Sequence, residues 1–191
     1  MVNKLFVLLD FDRTLADTDQ LKYDFDQLLA RGLSLESALM EFGQTHQTRQ
    51  AGQKYLLPGA IELLSFLQQQ VIPHGILTYG QADWQRAKIL ATGLADLSVV
   101  ITDRTDKGAL IASWRQVSGD YQLPPELGGQ FVEQIMLIDD KTYSFDGLPA
   151  DALGLHCGGR QTDSLPRNVQ SITNLSEAQS YLSRLLGLLV N

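Results

Sequence analysis

The feature that most constrains this chain is an apolar run near its N-terminus that ends in two acids. The run covers Leu5 to Leu9 and is followed at once by Asp10, Phe11 and Asp12. An uninterrupted apolar run of this length predicts a strand that is buried on both faces, as in a parallel sheet. Ligands bind at the carboxyl ends of such strands. Because buried acids are costly unless a cation or hydrogen bonds compensate them, the run predicts a metal ion, a shared proton or both.

The rest of the chain alternates strand patterns with helix patterns. Further strands are predicted over residues 72–78, 97–102, 135–138, 152–157 and 169–172. The residues between them show helical spacing of apolar positions, except that 118–130 is rich in glycine and proline and predicts a loop. This alternation predicts an α/β fold, with a three-layer, Rossmann-like parallel sheet and right-handed crossovers.

A helical segment without a strand pattern separates the first strand from the second. Asp17, Thr18 and Asp19 offer capping groups for a first helix in this segment, and Ser34 is predicted to cap a second. The polar, glutamine-rich stretch 43–54 fits either a third helix or a loop. Pro58 is predicted at the first position of the next helix, and Ser176 is predicted to cap a closing helix that runs to Leu189. The predicted organisation is a core domain of residues 1–15 and 58–191, with a small helical cap of residues 16–57 inserted after the first strand.

Composition narrows the classes of partner. The chain has 15 Lys and Arg against 22 Asp and Glu, a formal net charge of -7, and no dense basic run, which disfavours nucleic acid. Cys157 is the only cysteine, so no internal disulfide is possible and a reducing compartment fits. We see no signal peptide pattern and no apolar segment long enough to span a membrane, so we expect a cytoplasmic protein without a membrane partner. A small anionic substrate remains compatible with this charge.

Polar side chains lie at or just beyond the carboxyl ends of four predicted strands. The parallel topology should bring these ends to one edge of the sheet, although they are far apart in sequence. Carboxylates from two strands can hold Mg²⁺, a hydroxyl and an ammonium group can bind phosphoryl oxygens, and a free aspartate can attack phosphorus. The side chains concerned are Asp10, Asp12, Thr78, Lys107, Asp139 and Asp140.

With these motifs in this order, the chain resembles the haloacid dehalogenase superfamily. The matching segments are Asp10-Phe11-Asp12-Arg13-Thr14, Leu77-Thr78-Tyr79-Gly80, Lys107, and Leu137-Ile138-Asp139-Asp140. Together they span residues 5–140, and the inserted helical segment lies where the family places its C1 cap. Two residues depart from the family pattern: Arg13 replaces a common glycine, and Lys141 replaces a residue that is often small.

The resemblance implies a role for each acid. Asp10 would be the nucleophile that forms an aspartyl-phosphate, and Asp12 would protonate the leaving oxygen and then activate water. The second acid, Asp12, is typical of the phosphatases and phosphotransferases of the family rather than of its carbon–halogen-cleaving branch.

The resemblance also implies a metal site and a phosphate site. Mg²⁺ would be held by Asp10, the Asp12 carbonyl and Asp140, with Asp139 either joining them or taking no part in catalysis. The phosphate would be bound by Thr78, Tyr79, Gly80 and Lys107, helped by backbone N–H groups around Phe11, Asp12 and Gly80. Lys88 is the alternative to Lys107 as the phosphate-binding lysine.

The predicted function is therefore Mg²⁺-dependent hydrolysis of a small phosphate monoester. Two alternatives use the same scaffold: a phosphotransferase or mutase, and a non-catalytic module that binds phosphate or a partner. A two-component receiver domain is disfavoured, because its adjacent acid pair ends the first strand, whereas here the adjacent pair comes last. The sequence leaves the substrate and the oligomeric state open.

Overall fold

The computed structural model describes residues 3–44, 52–158 and 165–187. The described strands are β1 (Asn3–Leu9), β2 (His74–Tyr79), β3 (Val99–Thr102), β4 (Tyr121–Gln122), β5 (Phe131–Asp139), β6 (Leu153–His156) and β7 (Val169–Ser171). The described α-helices are α1 (Thr18–Ala30), α2 (Leu35–Gln44), α3 (Ala60–Gln69), α4 (Ala82–Ala91), α5 (Lys107–Ser113) and α6 (Leu175–Leu185). None of these helices is both long enough and apolar enough to cross a membrane.

The seven strands form one sheet, which confirms the predicted α/β, Rossmann-like fold. The strand order is β3-β2-β1-β5-β6-β7, all parallel, and β4 pairs antiparallel with β5. In the register of the sheet, Leu9 of β1 lies beside Ile76 of β2 and Ile138 of β5. The residues that follow these positions, on three neighbouring strands, therefore reach the same edge of the sheet.

The strand β1 is apolar throughout because both of its faces are buried. Leu5, Val7 and Leu9 pack into the hydrophobic core on one side of the sheet, together with residues of α1 to α4 and α6. Phe6 and Leu8 pack into a second core on the other side, with residues of α5 and β5. These two cores separate the three layers that the sequence predicts.

The inserted segment after β1 begins and ends at paired backbone positions. The N–H of Asp17 donates to the Tyr55 carbonyl at 2.7 Å, and the N–H of Leu57 donates to the Leu15 carbonyl at 2.9 Å. Within the segment, α2 packs against α1 and also against α4 of the core. The division into a core and a cap of residues 16–57 stays a prediction, and residues 45–51 lie outside the described part of the chain.

The predicted loop over residues 118–130 is wrong in part, because it contains β4. Tyr121 of this strand pairs with Val132, so β5 begins at Phe131 and not at residue 135. The first residues of β5 escaped the prediction because Phe131 and Glu133 face solvent while Val132 is buried, which interrupts the apolar run.

Two predicted caps are confirmed and two helix starts are corrected. The side chains of Asp17 and Ser34 accept N–H groups of the helices that follow them, at 3.0 and 3.2 Å. Pro58 lies before α3, because Gly59, at φ +85°, precedes the first helical residue. Asn174 caps α6 in place of Ser176, since its Oδ1 accepts the Glu177 N–H at 3.2 Å.

Candidate active site

A tight loop after β1 fixes the position of Asp10. The Asp10 N–H continues the ladder between β1 and β5 by donating to the Ile138 carbonyl at 2.9 Å. The carbonyl of Phe11 accepts the N–H groups of Leu15 and Ala16, which closes the loop immediately behind the two acids. Arg13 adopts a left-handed conformation in this loop, with φ +61°. This conformation favours glycine, which is the residue that the resemblance described above leads us to expect where this chain has Arg13.

Lys107 lies between acids from two strands. It is the first residue of α5, is almost fully buried, and contacts Asp10 Oδ1 and, at 2.7 Å, Asp139 Oδ2. Thr14 donates its hydroxyl to the other Asp10 oxygen at 3.0 Å. The structure thus brings together the predicted nucleophile, the predicted phosphate lysine and one acid of the pair that ends β5.

Burial dominates the electrostatics of this cluster. Burial raises the pKa of the Asp10 carboxyl to about 7, and the charge of Asp139 adds to the rise while Lys107 opposes it. Burial also raises the pKa of Asp140, with Lys141 opposing it. For Lys107, burial alone would lower the pKa, but the charges of Asp10 and Asp139 outweigh it and raise it. The lysines of the cluster therefore offset the negative charge of its carboxylates only in part.

Three carboxylates of the cluster are close enough to share a cation. One carboxylate oxygen from each of Asp10, Asp139 and Asp140 lies within 4.8 Å of the others. Asp139 also accepts the Lys141 N–H at 2.8 Å, and the side chain of Lys141 pairs with Asp140 at 2.6 Å. An all-oxygen donor set of this kind fits a hard divalent cation such as Mg²⁺. Each of the three was predicted as a metal ligand.

Of the four predicted phosphate residues, Tyr79 and Lys107 line the cavity of this site, whereas Thr78 and Gly80 are not among its described lining residues. Thr78 is fully buried, and its hydroxyl has no hydrogen-bond partner among the described residues. Tyr79 is half-exposed, whereas the Gly80 N–H already donates to the Thr102 carbonyl at 3.1 Å. A cavity of about 150 Å³ opens above the acids, lined by Asp10, Asp12, Tyr79, Thr105, Lys107, Asp139, Asp140, Lys141, Tyr143 and Ser144.

Asp12 lies at the rim of this cavity and is held by three side chains. Its Oδ1 accepts the Thr18 hydroxyl at 2.9 Å and contacts Lys88, while its Oδ2 accepts the Gln85 amide at 2.8 Å. Lys88, the alternative phosphate lysine, is therefore the partner of Asp12, and Lys107 is the partner of Asp10. Burial lowers the pKa of Lys88, and the charge of Asp12 opposes this shift.

Sequence reasoning did not predict that three described side chains contact the two acids. Thr14 binds Asp10, and Thr18 and Gln85 bind Asp12. One signal was present for Gln85: it stands three residues before Lys88, a spacing that places two side chains on the same face of a helix.

Comparisons by sequence give no match, whereas comparisons of the fold give many. No protein-family model and no curated protein sequence matches the chain. A provisionally assigned haloacid dehalogenase-like hydrolase from Burkholderia xenovorans LB400 superposes with a TM-score of 0.61 at 15% identity, covering 96% of this chain and 99% of its own.

Two further solved structures are similar over nearly the whole chain. A provisionally assigned HAD-hydrolase from Bacillus subtilis, bound to magnesium, has a TM-score of 0.59 at 16% identity and covers 94% of this chain and 99% of its own. A HAD phosphatase from Thermococcus onnurineus has a TM-score of 0.55 at 19% identity and covers 98% of each chain. At these identities the similarity is one of fold.

Proposed function

Since this chain has the fold of the haloacid dehalogenase-like hydrolases, we propose that it is a metal-dependent phosphohydrolase that acts on a phosphate monoester. The observation that carries the proposal is the position of Lys107, buried between Asp10 and Asp139 beneath a cavity. One cation and several acids converge there from β1, β5 and α5. The Thr78 hydroxyl near the end of β2, which has no hydrogen-bond partner among the described residues, adds a donor for a phosphoryl oxygen.

The three clustered carboxylates support a divalent metal as the cofactor, and we propose Mg²⁺. Asp10 and Asp140 would hold it, with Asp139 as a third acid and the Asp12 carbonyl as a further oxygen ligand. When bound, Mg²⁺ supplies positive charge that offsets the buried carboxylates and the oxygens of the phosphoryl group. A structural neighbour from Bacillus subtilis is a magnesium complex.

In the first proposed step, the Asp10 carboxylate attacks phosphorus and the bond between phosphorus and the leaving oxygen breaks. Lys107 and the Thr78 hydroxyl bind the phosphoryl oxygens, which positions phosphorus and stabilises its charge. Asp12 gives a proton to the leaving oxygen, so the product leaves as an alcohol and Asp10 carries an aspartyl-phosphate.

In the second proposed step, water hydrolyses the aspartyl-phosphate. Asp12, now a carboxylate, takes a proton from the water as the water oxygen bonds to phosphorus. The bond between phosphorus and the Asp10 oxygen then breaks, which regenerates both acids and releases inorganic phosphate.

The cavity above the acids is small, about 150 Å³, and it fits a compact phosphorylated substrate. The cytoplasm, as composition predicts, remains the proposed location.

The test is the hydrolysis of p-nitrophenyl phosphate by the purified protein. We expect Mg²⁺-dependent release of equal amounts of p-nitrophenol and inorganic phosphate, abolished by EDTA and by Asp10→Asn. Asp26→Asn is the matched control, because the Asp26 side chain on α1 is half-exposed and pairs with Lys22. Equal activity in the Asp10→Asn variant would contradict the proposal. A shortfall of phosphate relative to p-nitrophenol would indicate transfer to an acceptor in place of hydrolysis.

A further inference from the structure

Lys88 is a buried cation that the two proposed chemical steps do not use. It lies in the middle of α4, is 2% exposed, and its ammonium group contacts the Asp12 carboxylate. The same ammonium lies 5.4 Å from the ring centroid of Trp84 and 5.6 Å from that of Phe11. Burying a lysine is costly unless a specific partner compensates it, and here that partner is the predicted acid/base.

Gln85, one helical turn before Lys88, reaches the same carboxylate. Its amide nitrogen donates to Asp12 Oδ2 at 2.8 Å and to the Tyr79 carbonyl at 2.6 Å. Gly80 leaves room for this amide, because a Cβ at that position would lie 2.7 Å from the Gln85 nitrogen. The amide therefore links the loop after β1 to the last residue of β2.

The contacts to Asp12 differ between its two oxygens. Oδ1 is held by Lys88 and Thr18, and Oδ2 is held by Gln85. With both oxygens engaged, the carboxylate cannot rotate without losing a charge-assisted hydrogen bond. An acid/base that is fixed in this way is already oriented for proton transfer, so the free-energy barrier includes no cost of reorienting it.

We propose that Lys88, assisted by Gln85, is a positioning residue that holds the Asp12 carboxylate at the rim of the cavity for proton transfer. Lys88 acts through Asp12 and does not bind the phosphate of the substrate, since Lys107 occupies the place beside Asp10. This inference rests on the proposed function. It extends that function by assigning a role to a helix face that carries no recognised motif.

The first test compares Lys88→Met with Lys22→Met in the hydrolysis of p-nitrophenyl phosphate. Lys22 also forms an ion pair with an aspartate, Asp26, but on the exposed surface of α1. We expect Lys88→Met to lower kcat about 10- to 100-fold with KM within about twofold, because a misplaced acid/base slows chemistry and leaves substrate binding intact. Lys88→Arg should recover part of the loss, and Lys22→Met should match the unsubstituted protein.

The second test is a double-mutant cycle with Asp12→Asn. If Lys88 acts through Asp12, Lys88→Met should cause no further loss of kcat in the Asp12→Asn background. Losses that multiply, a KM that rises about tenfold, or an unchanged kcat would each overturn the assignment. Gln85→Met is the second variant should Lys88→Met fail to fold, and the same pattern is expected for it with a smaller loss.

Different results would overturn the proposed hydrolase activity and the proposed role of Lys88. If the unsubstituted protein does not hydrolyse p-nitrophenyl phosphate with Mg²⁺, the proposed function fails and the role of Lys88 fails with it. If the unsubstituted protein is active and the cycle shows independent losses, only the role of Lys88 is overturned.

Discussion

At the scale of single residues, Asp10, the proposed nucleophile, shows the cost of burying a carboxyl group in the core. It is 5% exposed and follows a strand that is apolar on both faces. Lys107 and Thr14 each bind one of its oxygens, yet burial and Asp139 still raise its pKa to about 7. These contacts therefore compensate the Asp10 carboxyl only in part, and we expect a bound cation to stabilise its charged form further.

Asp10→Asn should stabilise the protein in EDTA. The carboxyl's pKa is about 7 in the folded protein against an ordinary 3.8, so the folded state binds more protons between these values and loses stability as pH rises through them. The asparagine variant escapes this loss. Its melting temperature should exceed that of the unsubstituted protein by more at about pH 8 than at about pH 5. Each kcal/mol of difference in the free energy of unfolding should shift the melting temperature by about 2–4 °C.

Thermal unfolding followed by circular dichroism measures this difference, with Asp26→Asn as the exposed control. If the difference in melting temperature between Asp10→Asn and the unsubstituted protein shrank with rising pH, the Asp10 carboxylate would not be a destabilising charge in the folded protein.

Thr78→Val should separate stability from function. The buried Thr78 hydroxyl lacks a partner among the described residues, and leaving such a group unpaired costs about 1–3 kcal/mol. We therefore expect the valine variant to be at least as stable as the unsubstituted protein in the absence of phosphate. Its KM for p-nitrophenyl phosphate should rise about tenfold, since a hydrogen bond to a charged oxygen is worth about 1.5–3 kcal/mol.

Thr92→Val is the matched control for Thr78→Val. The Thr92 hydroxyl is also buried, but it donates to the Ile89 carbonyl at 2.8 Å within α4. Its loss should leave KM unchanged. A Thr78→Val variant with normal KM and reduced stability would mean that the hydroxyl serves the fold alone.

Most of the candidate site could be predicted from the sequence, because its main residues follow strands. Asp10, Thr78, Asp139 and Asp140 reach one edge as soon as the strands are recognised and made parallel. Gln85 and Thr18 could not be predicted in this way. Their contacts with Asp12 depend on how α4 and α1 are rotated and on side-chain rotamers, which residue spacing alone does not determine.

At the scale of elements, the inserted helices are joined to the core by an aromatic cluster. Phe42 of α2 lies 5.6 Å from Phe25 of α1, 5.7 Å from Trp84 of α4 and 6.1 Å from Tyr55, measured between ring centroids. The same helix α4 carries Lys88. Packing of α2 against α4 therefore supports the helix that contacts Asp12.

Phe42→Ala should destabilise the whole protein and not the inserted segment alone. Phe42 is 2% exposed, and truncating a buried phenylalanine costs about 3–5 kcal/mol. We expect one unfolding transition, seen at the same temperature in the far- and near-ultraviolet circular dichroism. Met40→Ala, at an exposed position of the same helix, should change little.

Two separate transitions in Phe42→Ala would contradict this expectation. They would support the sequence-based division into a core and a cap of residues 16–57 that unfolds independently.

Two elements that the sequence mispredicted have different physical causes. At the start of β5, the exposed Phe131 and Glu133 interrupt the apolar pattern of a strand that pairs with β4. Near α3, Pro58 satisfies the rule for a first helical residue, but Gly59 takes a left-handed conformation and delays the helix. Apolar patterns along the chain report local preference, whereas β5 begins where it pairs with β4 and α3 begins after the left-handed Gly59.

At the scale of the whole molecule, the parallel topology of the sheet brings the residues of the candidate site together. Asp10 and Lys107 are 97 positions apart, and Lys107 and Asp139 are 32 apart, yet their side chains meet in the core. The chain as a whole carries a formal charge of -7, yet two lysines, Lys88 and Lys107, are buried at the site. The buried lysines lie directly beside the carboxylate cluster, and this arrangement is consistent with the proposed binding of a phosphoryl group and a metal ion together.

The central claim is that Asp10 carries the phosphoryl group during turnover, and mass spectrometry of acid-quenched protein tests it most directly. Asp12→Asn should slow hydrolysis of the intermediate and let it accumulate when the protein is mixed with p-nitrophenyl phosphate and Mg²⁺. The prediction is one added phosphoryl group on the peptide that contains Asp10, and none in Asp10→Asn. A phosphoryl group on any other residue, or turnover without a phosphorylated protein, would contradict the account.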